Sequence, residues 1–390
     1  DEAIIQSRQS QLYGAEQALK ATTRVRAEES CRYLQVTKIR RTALSATMAL
    51  ALMSAALLAP AWSLTAGVLL AVLTLLMTTT LKAVTLFSGL LPTAVPATPS
   101  APFRMPRVSV LVPLLREREI VGQLIARLGQ LTYPKSLLNV VLILEEDDHL
   151  TRETIARTPL PDWMSVIEVP KSGSLTTKPR ALNYALNFCR GSIIGVWDAE
   201  DWPEADQIEK VVSRFNDAPP DVVCLQGQLD YYNSRSNWLT RCFTIEYAAW
   251  WRIVMPGIAR LGLVVPLGGT TLFFKRNALE KLGGWDAHNV TEDADLGVRL
   301  ARHGYRTELL PTVTREEATS RSWSWVRQRS RWLKGFLITY LVHMRRPAKL
   351  LGDLGFWRFM GVQTLFLASV VQFAAAPLLW SFWLTLFGVT

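Results

Sequence analysis

The stretch Ser192-Ile-Ile-Gly-Val-Trp-Asp-Ala-Glu-Asp201 is apolar until it meets three carboxylates, Asp198, Glu200 and Asp201. Such a run delivers acids to the end of a buried strand. Hard cations such as Mg2+ or Mn2+ take carboxylate oxygens together with substrate phosphates, so metal-phosphate chemistry belongs at such a strand end. Other chemistry-bearing groups follow the same logic. A second apolar run ends in Glu145, Glu146, Asp147 and Asp148, and Lys178 opens Pro-Arg-Ala-Leu-Asn. Gly268-Gly269-Thr270 is a loop whose missing side chains let a ligand approach backbone. Thr291-Glu292-Asp293 stands at an expected helix start, where Thr291 can cap. Gln328, Arg331 and Trp332 share a helix in which a guanidinium fork can pair with phosphate oxygens.

The elements that must carry these residues read as an α/β domain. Short β-branched runs at 108–115, 139–144, 165–169 and 222–226 join the run into Asp198, and helix-like stretches, including 178–189, alternate with them. That alternation predicts a mainly parallel sheet with helices on both faces. Five prolines between 92 and 106 make a stiff linker (residues 83–106) ahead of a domain over 107–320.

The flanks have a different texture. Residues 43–59 and 61–81 are nearly charge-free, split at Pro60, and predict a transmembrane hairpin over 42–82. A polar segment, 1–41, precedes it and ends in Lys38, Arg40 and Arg41, so the positive-inside rule puts both outer ends in the cytoplasm. Residues 238–262 and 321–346 interleave Trp, Phe and Tyr with Arg and predict amphipathic helices lying in a membrane interface; 356–390 is again membrane-like. The formal net charge of +10 favours an anionic partner, and its cationic residues lie beside the apolar segments, which selects membrane lipids over nucleic acid. The four cysteines are widely spaced, as expected of reduced thiols. Because the chain begins with Asp1 and ends inside an apolar run, further domains or subunits of a longer protein are expected.

With these motifs in order, the chain resembles the membrane-embedded family-2 glycosyltransferases, the group of bacterial cellulose synthase and related polysaccharide synthases. The likeness covers roughly residues 105–345: Glu145–Asp148 as the acidic strand end near the nucleotide, Asp198-Ala-Glu-Asp201 as the metal-binding DxD motif, Thr291-Glu-Asp293 as TED, and Gln328–Trp332 as QxxRW. The resemblance implies a GT-A fold and an inverting, Mg2+- or Mn2+-dependent enzyme of the bacterial inner membrane. It would pass sugar from a UDP-sugar to a growing polysaccharide through β-linkages, with a single transfer to a lipid acceptor, or a non-catalytic scaffold, as alternatives. It makes Asp293 the general base. Glu146, Asp147, Lys178, Gly269, Thr270, Glu292, Gln328, Arg331 and Trp332 become substrate-binding residues, Trp332 by stacking on the acceptor. Asp198 becomes a metal ligand. The third letter of the DxD motif is Glu200, so either Glu200 or Asp201 completes the metal set.

Overall fold

A computed structural model of the chain describes residues 13–34, 38–90, 104–117, 120–171, 173 and 175–388. The domain after the proline-rich stretch is built on one eight-stranded sheet in the order β3-β2-β1-β4-β7-β6-β8-β5. Its strands are β1 Val108–Pro113, β2 Leu138–Glu145, β3 Met164–Val169, β4 Ile193–Val196, β5 Trp202–Pro203, β6 Val222–Tyr231, β7 Leu272–Lys275 and β8 Arg306–Glu316. The pairs β1–β2, β2–β3, β1–β4 and β6–β8 are parallel. The pairs β4–β7, β6–β7 and β5–β8 are antiparallel. The sheet is therefore mainly parallel, as the alternation predicts, with antiparallel insertions that it does not. Leu272–Lys275 has four residues directly after a Gly-Gly-Thr-Thr loop, too short a run to separate from that loop by pattern.

Both faces of the sheet are covered. On one, Leu111, Val196, Phe274 and Trp285 join α6 (Lys178–Ala185), α10 (Arg276–Lys281) and α11 (Glu292–Arg302) in a single core. On the other, Val110, Val140, Trp197 and Phe273 pack with α4 (Ile120–Gly129) and α7 (Gln207–Asp217). Strands buried on two faces are rich in β-branched residues, and β1 (Val-Ser-Val-Leu-Val-Pro) is buried at its first five positions. The strand ends β1, β2 and β4 open toward one edge, where α5 (His149–Ala156) starts and the carboxylates collect.

The flanks are helical. A helix over residues 13–20 (α1) begins a strap that runs to Leu34, with Ala18, Ala21, Val25 and Cys31 buried against the domain. The polar character of this stretch therefore conceals an apolar inner side. Asp286 accepts from the Ser30 hydroxyl at 2.9 Å and the Cys31 N–H at 2.7 Å. α2 spans Lys38–Leu58 and α3 Pro60–Leu90, so the second helix continues eight residues past the expected end at Lys82. Among the described residues, two helices are long and apolar enough to cross a membrane, Pro60–Gly89 and Pro347–Ala374. The second is interrupted within α13 (Pro347–Val362) at Gly355, one residue before Phe356, where a non-helical backbone with φ of 72° suits glycine. The proline-rich stretch expected over 83–106 is helical up to Leu90; residues 91–103 lie outside the described residues. The four cysteines are unpaired.

Candidate active site

The first corner of the site forms where β4 ends. Trp197, fully buried, donates its indole N–H to Gln207 at 2.9 Å and anchors the turn from below. Asp201 then closes the turn: its N–H reaches the Asp198 carbonyl at 3.2 Å, and its Oδ2 accepts the Asp198 N–H at 2.8 Å. The same Oδ2 accepts the Thr270 hydroxyl, while Oδ1 is buried without a partner. Asp201 is thus an internal brace with one oxygen occupied by its own turn. Asp198 and Glu200 are half-buried, and Asp198 Oδ1 is ion-paired with the Lys178 ammonium.

Lys178 joins this corner to the next. Its Nζ donates to the Gly269 carbonyl at 2.9 Å as well as to Asp198. Burial works against its charge, but Asp198 and Glu292, with help from Asp293, outweigh burial and raise its pKa. Gly269 is the hinge of the arrangement, because a Cβ there would sit 3.3 Å from Asp293 Oδ2 and 3.8 Å from Lys178 Nζ. Thr271 follows with φ 55°, a strained conformation for a β-branched residue, and its N–H is held by the Val196 carbonyl at 2.8 Å. The loop is fixed by strand ends on both sides.

Asp293 lies at the start of α11 with its Oδ1 accepting the Ala294 N–H at 2.7 Å. Burial pushes Asp293 up to about 6 and the adjoining Glu292 up to about 8, the latter also through the Asp293 charge. A carboxylate near 6 is ionised at neutral pH and still basic enough to take a proton. Thr291 does not use its hydroxyl as a cap; it turns to Thr339 at 3.4 Å on α12 (Ser322–His343). The cause is packing: Gly335 of α12 presses on Thr291, and a Cβ there would lie 2.2 Å from Thr291 Cγ2. Behind Asp293, the fully buried Asp295 accepts from Arg299 at 2.7 Å and lies 3.0 Å from His343. Burial would raise its pKa, but Arg299 and His343 hold it below the usual range.

The remaining expected residues divide. Gln328 and Trp332 are half-buried on α12, with the Gln328 Oε1 buried and unpartnered, whereas Arg331 is exposed. In the first acidic patch, Glu145 is buried in a 2.8 Å ion pair with Arg180, and Asp148 caps α5 through the Thr151 N–H at 3.1 Å. Glu146 and Asp147 are exposed and meet Lys171: Glu146 accepts its N–H at 2.7 Å, and Asp147 lies 3.7 Å from its ammonium. They stand on the strand-end edge, outside the cluster formed by Lys178, Asp198, Asp201, Gly269, Thr270, Glu292 and Asp293.

Sequence reading alone misses Glu316, Tyr247, Trp251 and Arg329. Glu316 ends β8, and burial together with the charges of Asp201, Asp198 and Glu200 pushes its carboxyl well above the usual range. Tyr231, Phe243, Tyr247 and Trp251 form a ring chain with centroids 4.4 to 6.4 Å apart, which Trp332 joins at 6.3 Å from Phe243. Arg329 lies over Phe243, Trp325 and Trp332 and is ion-paired with Glu246. The signal available for Tyr247, Trp251 and Arg329 was the aromatic-basic texture of both helices, which has an equally good membrane-surface explanation; Glu316, at the end of a strand, had no such signal.

A divalent cation fits this chemistry. Glu200, Asp201 and Glu316 are all held above the ordinary carboxylate range by burial and by neighbouring negative charge. Among the described residues no three Asp, Glu, His or Cys side chains are grouped closely enough to cage a metal. The donor set that remains is Asp198 with a neighbouring carboxylate, completed by phosphate oxygens, as Mg2+ and Mn2+ prefer.

Comparison with known proteins identifies the family and the fold. Residues 106–335 match the family described as glycosyltransferase like family 2. A probable glycosyltransferase of Bacillus subtilis, YdaM, is 27% identical over 59% of this chain and 55% of its own length. The beta-monoglucosyldiacylglycerol synthase of a Synechocystis strain is 31% identical over 62% of this chain and 50% of its own. The chain thus spans about half the length of these curated relatives. Among solved structures, a mannosyltransferase of Pyrobaculum calidifontis, in complex with GDP-mannose and Mn2+, superposes with a TM-score of 0.56 at 20% identity, over 80% of this chain and 86% of that one. That likeness establishes the GT-A fold.

Proposed function

The chain belongs to the family-2-like glycosyltransferases, and we propose that it is an inverting, metal-dependent membrane enzyme that transfers sugar from a UDP-sugar to an acceptor hydroxyl. The observation that carries this reading is the convergence of Asp293 and Lys178 on Gly269, with Lys178 bonded to the Gly269 carbonyl at 2.9 Å and ion-paired with Asp198. It sets a base and a cationic phosphate corner on two sides of one backbone position. The acceptor oxygen attacks the anomeric carbon as Asp293 takes its proton, and the bond from that carbon to the diphosphate breaks on the opposite face. Attack opposite the leaving group inverts the configuration. Lys178 meets the charge that grows on the departing diphosphate, and its two fixed hydrogen bonds keep it in place. A bound Mg2+ or Mn2+, held by Asp198 with Glu200, would supply further Lewis-acid stabilisation of that charge. Asp201 is the weaker ligand candidate, since its Oδ2 is already shared by the Asp198 N–H and Thr270. The complex of the Pyrobaculum protein with GDP-mannose and Mn2+ supports a nucleotide-sugar donor in general and a divalent metal.

Two acceptors suit the site. A growing polysaccharide follows from the family resemblance, with Gln328, Arg331 and Trp332 beside it and Glu146 and Asp147 toward the nucleotide. A membrane lipid is supported by the name of the Synechocystis relative and by the two apolar helices of spanning length. Both readings put the domain on the cytoplasmic face of a bacterial inner membrane. The full chain is tested with labelled UDP-glucose or UDP-N-acetylglucosamine and Mg2+ or Mn2+, alongside Asp293→Asn. Label in polymer supports the first acceptor, label in a single-sugar lipid the second. Equal incorporation by wild type and Asp293→Asn would remove Asp293 from its role, and no incorporation with any donor would leave a scaffold that keeps the fold.

A further inference from the structure

The start of α11 presents two carboxylates in opposite directions. Positions two apart on an α-helix lie about 200° apart around its axis, so with Asp293 against Gly269, Asp295 turns to the other side, toward α12. There it meets His343, whose side chain, like that of Asp295, is fully buried. The imidazole is a bridge: its Nε2 lies 3.0 Å from Asp295 Oδ1, and its Nδ1 lies 3.0 Å from a guanidinium nitrogen of Arg302. A guanidinium only donates, so Nδ1 accepts and the ring proton sits on Nε2, toward Asp295.

This bridge is one link in a chain of directional bonds. On one side, Arg299 donates to Asp295 at 2.7 Å and to the Leu282 and Gly284 carbonyls at 3.1 and 2.8 Å. On the other, Arg302 donates twice to one oxygen of Asp353, at 3.0 and 2.7 Å, near the start of α13. α13 is itself held to the end of α9 (Met255–Arg260), where Trp357 and Arg358 donate to the Leu261 and Gly262 carbonyls at 2.8 and 3.0 Å. One turn earlier on α12, Thr339 accepts from Asn289 at 3.0 Å, and Asn289 accepts the Thr291 N–H at 3.1 Å. Gly335, a turn before that, packs on Thr291. Positions 335, 339 and 343 are four apart, so one face of α12 grips the start of α11. The other end of α12 is tied to α8 (Trp238–Ala249) by the Arg329–Glu246 ion pair.

An apolar contact would also hold α11 and α12 together, but burial of apolar surface has no direction. Bonds of fixed geometry set the rotation of α11 about its axis, and that rotation decides where Asp293 points. Loss of the imidazole would spare both ion pairs, since Asp295 keeps Arg299 and Arg302 keeps Asp353. It would loosen the helix rather than unfold the domain.

We propose that His343 is a positioning residue: it locks the rotation of α11 against α12 and α13 and so holds the Asp293 carboxylate at Gly269. This rests on the reading of Asp293 as the base. The experiment uses the full chain in phosphatidylcholine vesicles with Mn2+ and labelled UDP-glucose, UDP-N-acetylglucosamine or GDP-mannose. Dioleoylglycerol and a short cello-oligosaccharide are offered as acceptors. His343→Leu should lower kcat about 10²-fold, the scale of a misplacement of about 1 Å, and leave the donor KM within about twofold. His343→Gln, whose amide can donate to Asp295 and accept from Arg302, should recover most of that loss. In the Asp293→Asn background, His343→Leu should add no further loss, because the group it positions is gone. Asp353→Asn, on the partly exposed end of the chain of bonds, should give a smaller fall in kcat with the same dependence on Asp293. Equal fractional losses in the two backgrounds, a glutamine variant no better than the leucine one, or wild-type kcat per folded molecule in His343→Leu or Asp353→Asn would overturn the positioning role and leave the base in place. Wild-type rates in Asp293→Asn, or no transfer by the wild type with any donor, would instead remove the reading beneath it.

Discussion

Asp293 and Glu292 are adjacent carboxyls with unequal environments, and that inequality suits one of them to the proposed role of base at neutral pH. Glu292 is pushed up to about 8 and Asp293 to about 6, so Asp293 is the one that loses its proton first as pH rises. Because the base works only when ionised, transfer is expected to fall as pH drops through about 6, with a slope of one proton in kcat/KM. Asp293→Asn should lower kcat by a factor of roughly 10² to 10⁴ and flatten that acid limb, as loss of a positioned base does. Nucleotide binding by calorimetry should persist in the variant. Chelation by EDTA should abolish transfer, and Mg2+ or Mn2+ should restore it. A chain that turns over in EDTA would remove the cation from the mechanism.

Two elements hold the base in register with the rest of the site. α12 presses Gly335 onto Thr291, and the loop at Gly269 passes close to Asp293, whose Oδ2 lies 3.3 Å from where a Cβ would stand. Gly335→Ala is expected to overpack this contact at a cost of about 1–3 kcal/mol. It should also lower kcat/KM by pushing α12 against Thr291, two residues ahead of Asp293. Thermal melts and kinetics check both effects, and Thr291→Ala, which vacates the space, should recover part of the loss in the double variant. The helix that carries Gly335 was legible in sequence as an aromatic-basic stretch, Ser322–Arg346, and is observed as Ser322–His343. What pattern could not separate was its two sides. Arg329 lies over the ring wall while Arg331, two residues on, is exposed, because successive residues on a helix point about 100° apart.

At the scale of the molecule, the strap over residues 13–34 ties the domain to the helices behind it. Glu29 meets His303 at 3.1 Å, Glu28 meets Lys349 at 2.9 Å, and Asp286 holds Ser30 and Cys31. Asp286→Ala would leave the buried Cys31 N–H and Ser30 hydroxyl without their acceptor, for which about 1–3 kcal/mol of destabilisation is expected. Chemical denaturation in detergent is the measurement. Because Asp286 lies just ahead of Thr291 in the chain, a fall in activity larger than the stability loss would show that the strap also positions the TED helix. The two helices of spanning length lead to the expectation that the chain resists carbonate extraction from membranes; release into the wash would count against that anchorage.

Local chemistry, read along the sequence, was enough to place five of the strands, the acid-bearing strand end at Asp198, the TED helix start and the two aromatic-basic helices. These are legible because a strand, a cap and an amphipathic run are each specified by residues close in the chain. Tertiary structure alone decided the rest. It turned Asp201 inward as a brace and left Asp198 and Glu200 half-buried beside it. It inserted β7 antiparallel between β4 and β6 and brought Gly269 to within a side chain's reach of both Lys178 and Asp293. It also carried Glu316, 115 residues beyond Asp201, to the same carboxylate corner. Such pairings depend on sheet order and helix docking, which join residues far apart in sequence and leave no periodic trace along it.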